Sequence, residues 1–384
     1  MKTLIVLIEN YAIGGANKYS EDLINSVANS FEHIEIWGNP EAIKTINRSR
    51  ISSEITLKSI NIFNTSELIK GHKKIQRVIL RLLFFPFSFV INFLSLVKLS
   101  IKLKKIKPTK ILLCNGGYPA SLYLIYSCLF IKKQFHPTMT IVSTPTRKTS
   151  YLLSLYGNFL DLIVRKNSHS LVVNSHAIKK ELVEHHNFEE EKIFIVRNGI
   201  ADSTPLFRTQ KTSLSIGFVS RVEIAKGIRE LMSAFDKLHN IYPDIELIIA
   251  GDGSLKNEVF EFSKKYTNVK YLGHFAGNIQ ELLSTIDIFV LPSYQEGLPY
   301  SLIEAAMSNC ALVASNVGGI PEIIKHNFSG MLIPSHNTYA LYQALDYMIS
   351  HPEKRIEMSN NARATFLNEF TLERMKKDSH FLTL

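Results

Sequence analysis

Two carboxylates eight positions apart, Glu296 and Glu304, stand in the stretch Asp287 to Glu304, DIFVLPSYQEGLPYSLIE. Ile288, Phe289, Val290 and Leu291 form a continuous apolar run, so Asp287 to Ser293 reads as a short buried strand. Tyr294 to Pro299 reads as a loop, punctuated by Gly297 and Pro299. A helix then opens near Pro299 to Ser301 and runs through Leu302, Ile303, Ala305, Ala306 and Met307. Glu296 falls in the loop at the carboxyl end of the strand and Glu304 in the first turns of the helix. Open α/β sheets bind ligands at that edge. A helix N-terminus offers N–H groups and a positive dipole end, a seat for phosphate. A phosphate seat flanked by two carboxylates suits a ligand that carries phosphates and hydroxyls, such as a sugar nucleotide. The plainer alternative is that Glu304 is helix-favouring and Glu296 a solvated loop charge.

The elements that must position these residues form an alternation. Leu214 to Val219 is predicted as a strand, followed by Ser220-Arg221 to Lys226-Gly227 and a helix from Ile228 to Leu238. Ile245 to Ala250 is a strand ended by Gly251-Asp252-Gly253, with a helix over about Ser254 to Tyr266. Val269 to Leu272 is a strand with Gly273-His274 behind it, and a helix from Ile279 to Leu283 precedes the central stretch. Ala311 to Ala314 and Leu332-Ile333 are further strands. In a parallel sheet the polar and glycine loops fall on one edge, where one pocket collects them. Arg221 and Lys226 place two cations there. Fixed cations and helix amides stabilise the charge that gathers on a departing diphosphate.

The first half repeats the alternation, as doubly wound α/β folds do. Residues 3–8 read as a strand, Asn10 to Asn17 as a loop with Gly14-Gly15, and Ala16 to Asn29 as a helix. Strand, Gly-Gly and helix is a phosphate-approach geometry, although any tight turn uses it too. Leu4 to Ile8 is too short and lacks the cleavage site of a signal peptide. Strands are also predicted over Ile34 to Trp37, Lys110 to Cys114 (ended by Asn115-Gly116-Gly117), Met139 to Ser143, Leu171 to Val173 and Ile193 to Val196. Helices are predicted over Ser121 to Ile131, Tyr151 to Lys166 and Ala177 to His185. Leu82 to Val97 holds sixteen residues without a charge between basic flanks. It admits three readings: a core helix, an interfacial helix on anionic lipid, or a membrane span, for which it is short and interrupted by Pro86 and Asn92.

Composition sets the frame. A chain of 384 residues implies two domains. The three cysteines, Cys114, Cys128 and Cys310, are widely spaced and form no disulfide or zinc pattern, which fits a reducing cytoplasm. The histidines form no metal-binding pattern either: His185 and His186 are adjacent and face different ways. Residues 1–200 hold 27 Lys and Arg against 14 Asp and Glu, a balance of +13, while residues 201–384 hold 17 against 20, a balance of −3. A basic half suggests an anionic partner there. No nucleic-acid recognition motif accompanies the charge, so none is expected as a partner.

Five motifs in order resemble the retaining glycosyltransferases of GT-B fold called family 4, or group 1. They are GFVSRVEIAKG (Gly217 to Gly227), AGDG (Ala250 to Gly253), LGH (Leu272 to His274), PSYQEGLPYSLIEA with its paired glutamates, and SNVGGIPEII (Ser315 to Ile324). The resemblance covers residues 190–335 best. It implies an α/β architecture of two Rossmann-like, doubly wound parallel-sheet domains facing a cleft: an acceptor domain over 1–201, a linker over 202–212, a nucleotide-sugar domain over 213–365, and a C-terminal helix over 366–384 packing back on the first domain. It implies that Arg221 and Lys226 grip the donor diphosphate, Glu304 bonds the ribose, and Glu296 contacts the donor sugar. Gly251, Gly253, Gly297, Leu298 and Ser301 would line the donor site, His274 and Phe275 would receive the base, and Gly14 and Gly15 would approach the diphosphate. The catalytic set would be Glu296, Arg221 and Lys226, with no metal or other cofactor. Asn198-Gly199-Ile200 resembles the interdomain element, but Ala201 replaces its usual acid and Asp202 comes one later. Ala16-Asn17 follows the Gly-Gly where many members carry an acid. Ser143 to Arg147 lacks the histidine that members often place near the acceptor.

The expected activity is transfer of a hexosyl or N-acetylhexosaminyl group, with retention, from a nucleotide sugar (UDP favoured over GDP) to a lipid-linked or polysaccharide acceptor. Surface glycan assembly such as capsule or O-antigen, a cytoplasmic location and a peripheral seat on the anionic inner face of the membrane go with it. A sugar-nucleotide epimerase of the same fold, or a non-catalytic polyanion-binding relative, are the alternatives.

Overall fold

The computed structural model describes residues 2–9, 14–47, 51, 55–60, 74–115, 118–119, 121–131, 133–145, 151–203 and 213–384. The side chains of 74–89 and 151–153 lie outside that description, as do residues 10–13, Gly116-Gly117, Thr146 to Lys148 and linker residues 204–212. The chain divides into two compact units: Met1–Asn174 with Ile178–Val196 and Asp378–Leu384, and Ser175–Ala177 with Arg197–Lys377.

The first unit runs β1 (Thr3–Glu9), α1 (Gly15–Val27), β2 (His33–Gly38), α2 (Pro40–Thr45), β3 (Thr56–Ser59), α3 (Lys74–Ile106), β4 (Lys110–Asn115), α4 (Leu122–Phe130), β5 (Pro137–Ile141), α5 (Tyr151–Asn167), β6 (Ser170–Val173), α6 (His176–His186) and β7 (Ile193–Ile195). Its sheet has the order β3-β2-β1-β4-β5-β6-β7 and is parallel throughout. All seven residues of β1 are buried, as helices on both faces of a parallel sheet require. The second unit runs β8 (Ser215–Val219), α7 (Ile228–His239), β9 (Glu246–Ala250), α8 (Lys256–Ser263), β10 (Val269–Tyr271), α9 (Ile279–Ser284), β11 (Ile288–Leu291), α10 (Tyr300–Met307), β12 (Ala311–Ser315), α11 (Ile320–Ile323), β13 (Met331–Ile333), α12 (Thr338–Ser350), α13 (Pro352–Glu369) and α14 (Leu372–Ser379). Its parallel sheet has the order β10-β9-β8-β11-β12-β13. In α7, Ile228, Leu231, Met232, Phe235 and Leu238 are buried at helical spacing, each side chain contributing roughly 1.5–3 kcal/mol of burial.

Two Rossmann-like parallel-sheet units are the architecture the strand–helix alternation predicts. The differences lie in short or half-exposed elements. α2 and β3 have no clear period: β3, TLKS, is an edge strand with no fully buried residue. β5 begins two residues earlier than predicted, at Pro137. The ambiguous basic-flanked segment is one helix, α3, of 33 residues. Leu96, Leu99 and Leu103 of its second half are buried in the core, while Val90, Phe93, Leu94 and Ile101 are exposed. Within the run Leu82 to Val97 the described side chains begin at Val90, and of these Leu96 alone is buried, so the buried stripe lies mostly beyond the run. Among the described residues, no helix is long and apolar enough to cross a membrane.

Candidate functional site

Strand order reverses between β8 and β11 in the second unit. In open α/β sheets a ligand crevice opens at the carboxyl ends of such a pair. The loop after β8 carries Arg221 and Lys226, and the loop after β11 carries Glu296. The two loops are bound at backbone level: the Tyr294 N–H donates to the Ala225 carbonyl at 2.9 Å. Gly227, at φ 70°, lies so close that a Cβ there would sit 2.0 Å from the Pro292 carbonyl oxygen. Only glycine meets both demands.

Across this junction the Lys226 Nζ donates to Glu296 Oε1 at 2.6 Å, and the Ser293 hydroxyl donates to the same oxygen at 2.7 Å. Both charged side chains are largely enclosed, with exposures of 16% and 10%. Ser293 is fully buried. Sequence reasoning assigned Lys226 and Glu296 to different parts of a ligand; the structure joins them, with Ser293 as a third member.

The neighbouring loops meet the same edge. A Cβ on Gly251 (φ 146°) would lie 1.8 Å from the Ser220 carbonyl oxygen, and one on Gly253 2.4 Å from that of Val222. These glycines bring the loop after β9 under the Arg221 loop. The Ser254 hydroxyl and N–H both bond Glu223, and with Arg221 nearby they hold its carboxyl below the ordinary range. The Gly251 N–H donates to the Gly273 carbonyl at 2.7 Å, which places His274 and Phe275 beside that loop. His274 is exposed and Phe275 half-buried.

The Glu296 loop is clamped from three sides. Gly318 (φ 53°) and Gly319 lie against it, where a Cβ would come within 1.8 Å of the Glu296 and 2.2 Å of the Gly297 carbonyl oxygen. The Gly319 N–H donates to Gly297 at 2.7 Å. The Asn198 side chain donates to the carbonyl of Leu298 at 2.6 Å. Tyr294 donates to Glu230 at 2.6 Å and stacks on His336. Burial and that carboxylate push the Tyr294 hydroxyl up to about 12. α10 begins at Tyr300, directly after the loop, with Ser301 half-buried in its first turn and Glu304 one turn on.

Gly14 and Gly15 belong to the first unit. Gly14 is extended (φ 178°), so its backbone does not demand glycine. A Cβ there would meet nothing within 4 Å, and Gly15 opens α1. Among the described residues no group of three His, Cys, Asp or Glu side chains is arranged to hold a metal ion. Ser293, Gly318, Gly319, Asn198 and Glu230 are the positioning residues whose roles sequence reasoning missed. Their only sequence signal was the presence of four of them, all but Glu230, in recognised motifs.

Residues 206–365 match the family model for glycosyl transferases group 1. The chain is 26% identical over 212 residues to a glycogen synthase of Mycobacterium tuberculosis, covering 53% of this chain and 51% of that protein. It is 31% identical over 137 residues to an Escherichia coli UDP-Gal:alpha-D-GlcNAc-diphosphoundecaprenol alpha-1,3-galactosyltransferase, covering 35% of each. The chain spans about half the length of the curated relatives it matches. Its fold is similar to that of a Rickettsia africae glycosyltransferase, with a TM-score of 0.76, 18% identity, and coverage of 100% of this chain and 97% of the other. It is also similar to the Anabaena HepE protein in complex with UDP-glucose, with a TM-score of 0.75, 15% identity and 99% of each chain covered. The fold class is therefore GT-B.

Proposed function

We propose that the chain is a group 1 glycosyltransferase that moves a sugar, with retention, from a nucleoside diphosphate sugar to a glycan acceptor. The observation that carries this reading is the enclosed Lys226–Glu296 pair, bridging the two switch-point loops inside the segment that matches the family model.

In this reading the diphosphate lies at the start of α10, where helix amides and the cations Arg221 and Lys226 balance its charge. Glu296 receives hydroxyls of the transferred sugar and Glu304 those of the ribose. The bond between the anomeric carbon and the phosphate oxygen breaks, and the acceptor oxygen bonds that carbon on the same face. The acceptor proton passes to the departing phosphate oxygen, so no protein base is needed on the acceptor side. That fits the Ser143-Thr144-Pro145 loop, which carries no histidine. Fixed cations take the role a metal has elsewhere, so activity should survive chelation by EDTA. UDP is the favoured carrier, since HepE is seen with UDP-glucose and the galactosyltransferase relative is named for UDP-Gal.

The acceptor we favour is lipid-linked, used at an anionic membrane face. Between Glu67 and Asp161 the sequence has no acidic residue, while residues 68–160 contain 15 Lys and Arg. The helices α3, α4 and α5 of that region leave Phe93, Leu94, Leu129, Leu155 and Phe159 exposed. Cations, exposed apolar side chains and no acid suit an anionic bilayer.

A thermal-shift screen with UDP, GDP, ADP and their sugars tests the donor site. Saturation at a hundred times Kd stabilises by about 2.7 kcal/mol. A shift with one nucleotide, lost in Arg221→Ala, is the expected result. No shift with any nucleotide, and no sugar-bearing product on assay, would sink the reading. Product analysis separates transfer from epimerisation or hydrolysis.

A further inference from the structure

The first unit carries a recess that none of the donor-site residues named above lines. It is a cleft of about 320 Å³ where the end of β2 meets α3 and α4, at the small end of ligand pockets. Trp37 forms its base, Ile91 and Leu94 an apolar wall, Lys98 and Lys102 its cationic side, and Tyr123 its far side. The Lys102 Nζ sits 3.9 Å above the centre of the Trp37 ring. The Trp37 N–H is turned away to Glu35, at 2.7 Å.

Charge in the recess is unbalanced. Glu35, the neighbouring carboxylate, is already taken: Lys58 bonds it at 2.7 Å, and His33 at 2.8 Å. Neither Lys98 nor Lys102 has an ion-pair partner among the described residues. Burial and the nearby Lys58 charge lower the pKa of Lys102, with Glu35 opposing only in part. An anion beside these two ammonium groups would relieve that cost. Tyr123 adds a hydroxyl, which is hydrogen-bonded to Ser95 at 3.0 Å. Beyond the cations, Leu94 is 52% exposed and Val90, a turn earlier on α3, is 53% exposed. An apolar track therefore leads out of the cleft.

We infer that this cleft binds an amphiphilic phosphate, its head between Lys98 and Lys102 and its hydrocarbon chain along Ile91, Leu94 and Val90. Such a ligand has two sources, a phospholipid headgroup and the isoprenoid phosphate of a lipid-linked acceptor. The second source rests on the proposed function, so donor binding is kept as a separate readout.

The chain has a single tryptophan, Trp37, at the base of the cleft, so a ligand seated there should change its emission. The full chain is titrated with farnesyl phosphate, with dihexanoyl phosphatidylglycerol below its micelle concentration, with farnesol and with inorganic phosphate. We expect a saturable emission change with at least one of the two amphiphilic phosphates, and weaker binding of farnesol and phosphate. Lys98→Glu, at an exposed position, should weaken that binding by about tenfold or more, as removal and reversal of a lipid-facing charge implies. Lys102→Gln gives a second test on the covered side, and Arg221→Ala should leave the titration unchanged. The tighter amphiphile identifies the source. No saturable change with either amphiphile, equal binding of farnesol, or undiminished binding in Lys98→Glu would overturn the site. A null titration beside an intact UDP shift removes this cleft and leaves the transferase reading standing; the converse pair of results does the reverse.

Discussion

Lys226 and Glu296, 70 residues apart in the chain, are joined by a 2.6 Å hydrogen-bonded ion pair. The pair sits across the one reversal in strand order of the second sheet. Removing either partner takes the counter-ion from the other in a site with little solvent. Lys226→Met and Glu296→Gln should each cost about 1–3 kcal/mol of stability, the range for an unmade bond to an enclosed polar group. The double variant should cost less than the two singles added, because the two side chains interact directly and the second change removes the charge that lost its counter-ion. Urea unfolding of the four proteins measures this coupling. Both singles should also abolish the nucleotide-dependent thermal shift or weaken it strongly.

Three glycines predict a graded series. Gly227→Ala and Gly318→Ala each place a Cβ within 2.0 Å of a carbonyl oxygen on the Glu296 side of the site, at positive φ. Both should destabilise strongly and lower donor affinity, since the loops must move apart. Gly273 has φ 59° but open space around its missing Cβ. Gly273→Ala should cost only the left-handed conformational term, about 1–2 kcal/mol, with donor binding retained. Thermal melts with and without nucleotide separate the two classes.

The sequence displays the frame of this site more clearly than its joints. β11 is legible because a strand buried on both faces must be a run of apolar residues, and Ile288 to Leu291 is one. The start of α10 is legible from Gly297 and Pro299. The Lys226–Glu296 bond is not, because nothing in either loop states which strands become neighbours until β8 and β11 pair. Gly318 and Gly319 are visible as a motif, yet their cause is the backbone of Glu296 and Gly297, a tertiary neighbour. β3 escapes because TLKS is half-exposed and alternates weakly. In α3 the inward stripe of Leu96, Leu99 and Leu103 straddles the end of the uncharged run and is interleaved with Lys98 and Lys102, so core and surface readings look alike there.

In the first unit, Asp161 is buried and accepts bonds from the Tyr118 hydroxyl at 2.6 Å and from His186 Nδ1 at 2.9 Å. Asp161→Ala orphans both partners in the core. A loss of about 2–4 kcal/mol is expected, from two enclosed groups left unpaired. Asp161→Asn, which keeps an acceptor, should lose less. Chemical denaturation followed by Trp37 fluorescence reads both.

Glu35 gives the first unit an acid sensitivity. Burial pushes its carboxyl up, but bonds from Lys58, His33 and Trp37 outweigh burial and hold it at about 2, against an ordinary value of 4.5. A carboxyl lowered on folding stabilises fully above its unfolded value, and that contribution fades as pH falls toward the folded value. Urea midpoints reported by Trp37 should therefore drop between about pH 4.5 and pH 2. Glu35→Gln should flatten the drop in that window while lowering stability near neutrality.

Residues 378–384 belong to the first unit although the whole second unit precedes them in the chain. Lys2 donates to the carbonyl of Thr383, Lys110 to that of Phe381, and Ser26 shares a hydrogen bond with Ser379. Phe381 stacks on Phe194 of β7. On the ribosome, the first sheet thus waits for its last neighbours until nearly two hundred further residues have been translated, as the span 197–377 requires. The opening half of the polypeptide emerges first but cannot complete its packing first. A nascent chain stalled anywhere before residue 378 should be more open to proteases in its N-terminal half than the released protein.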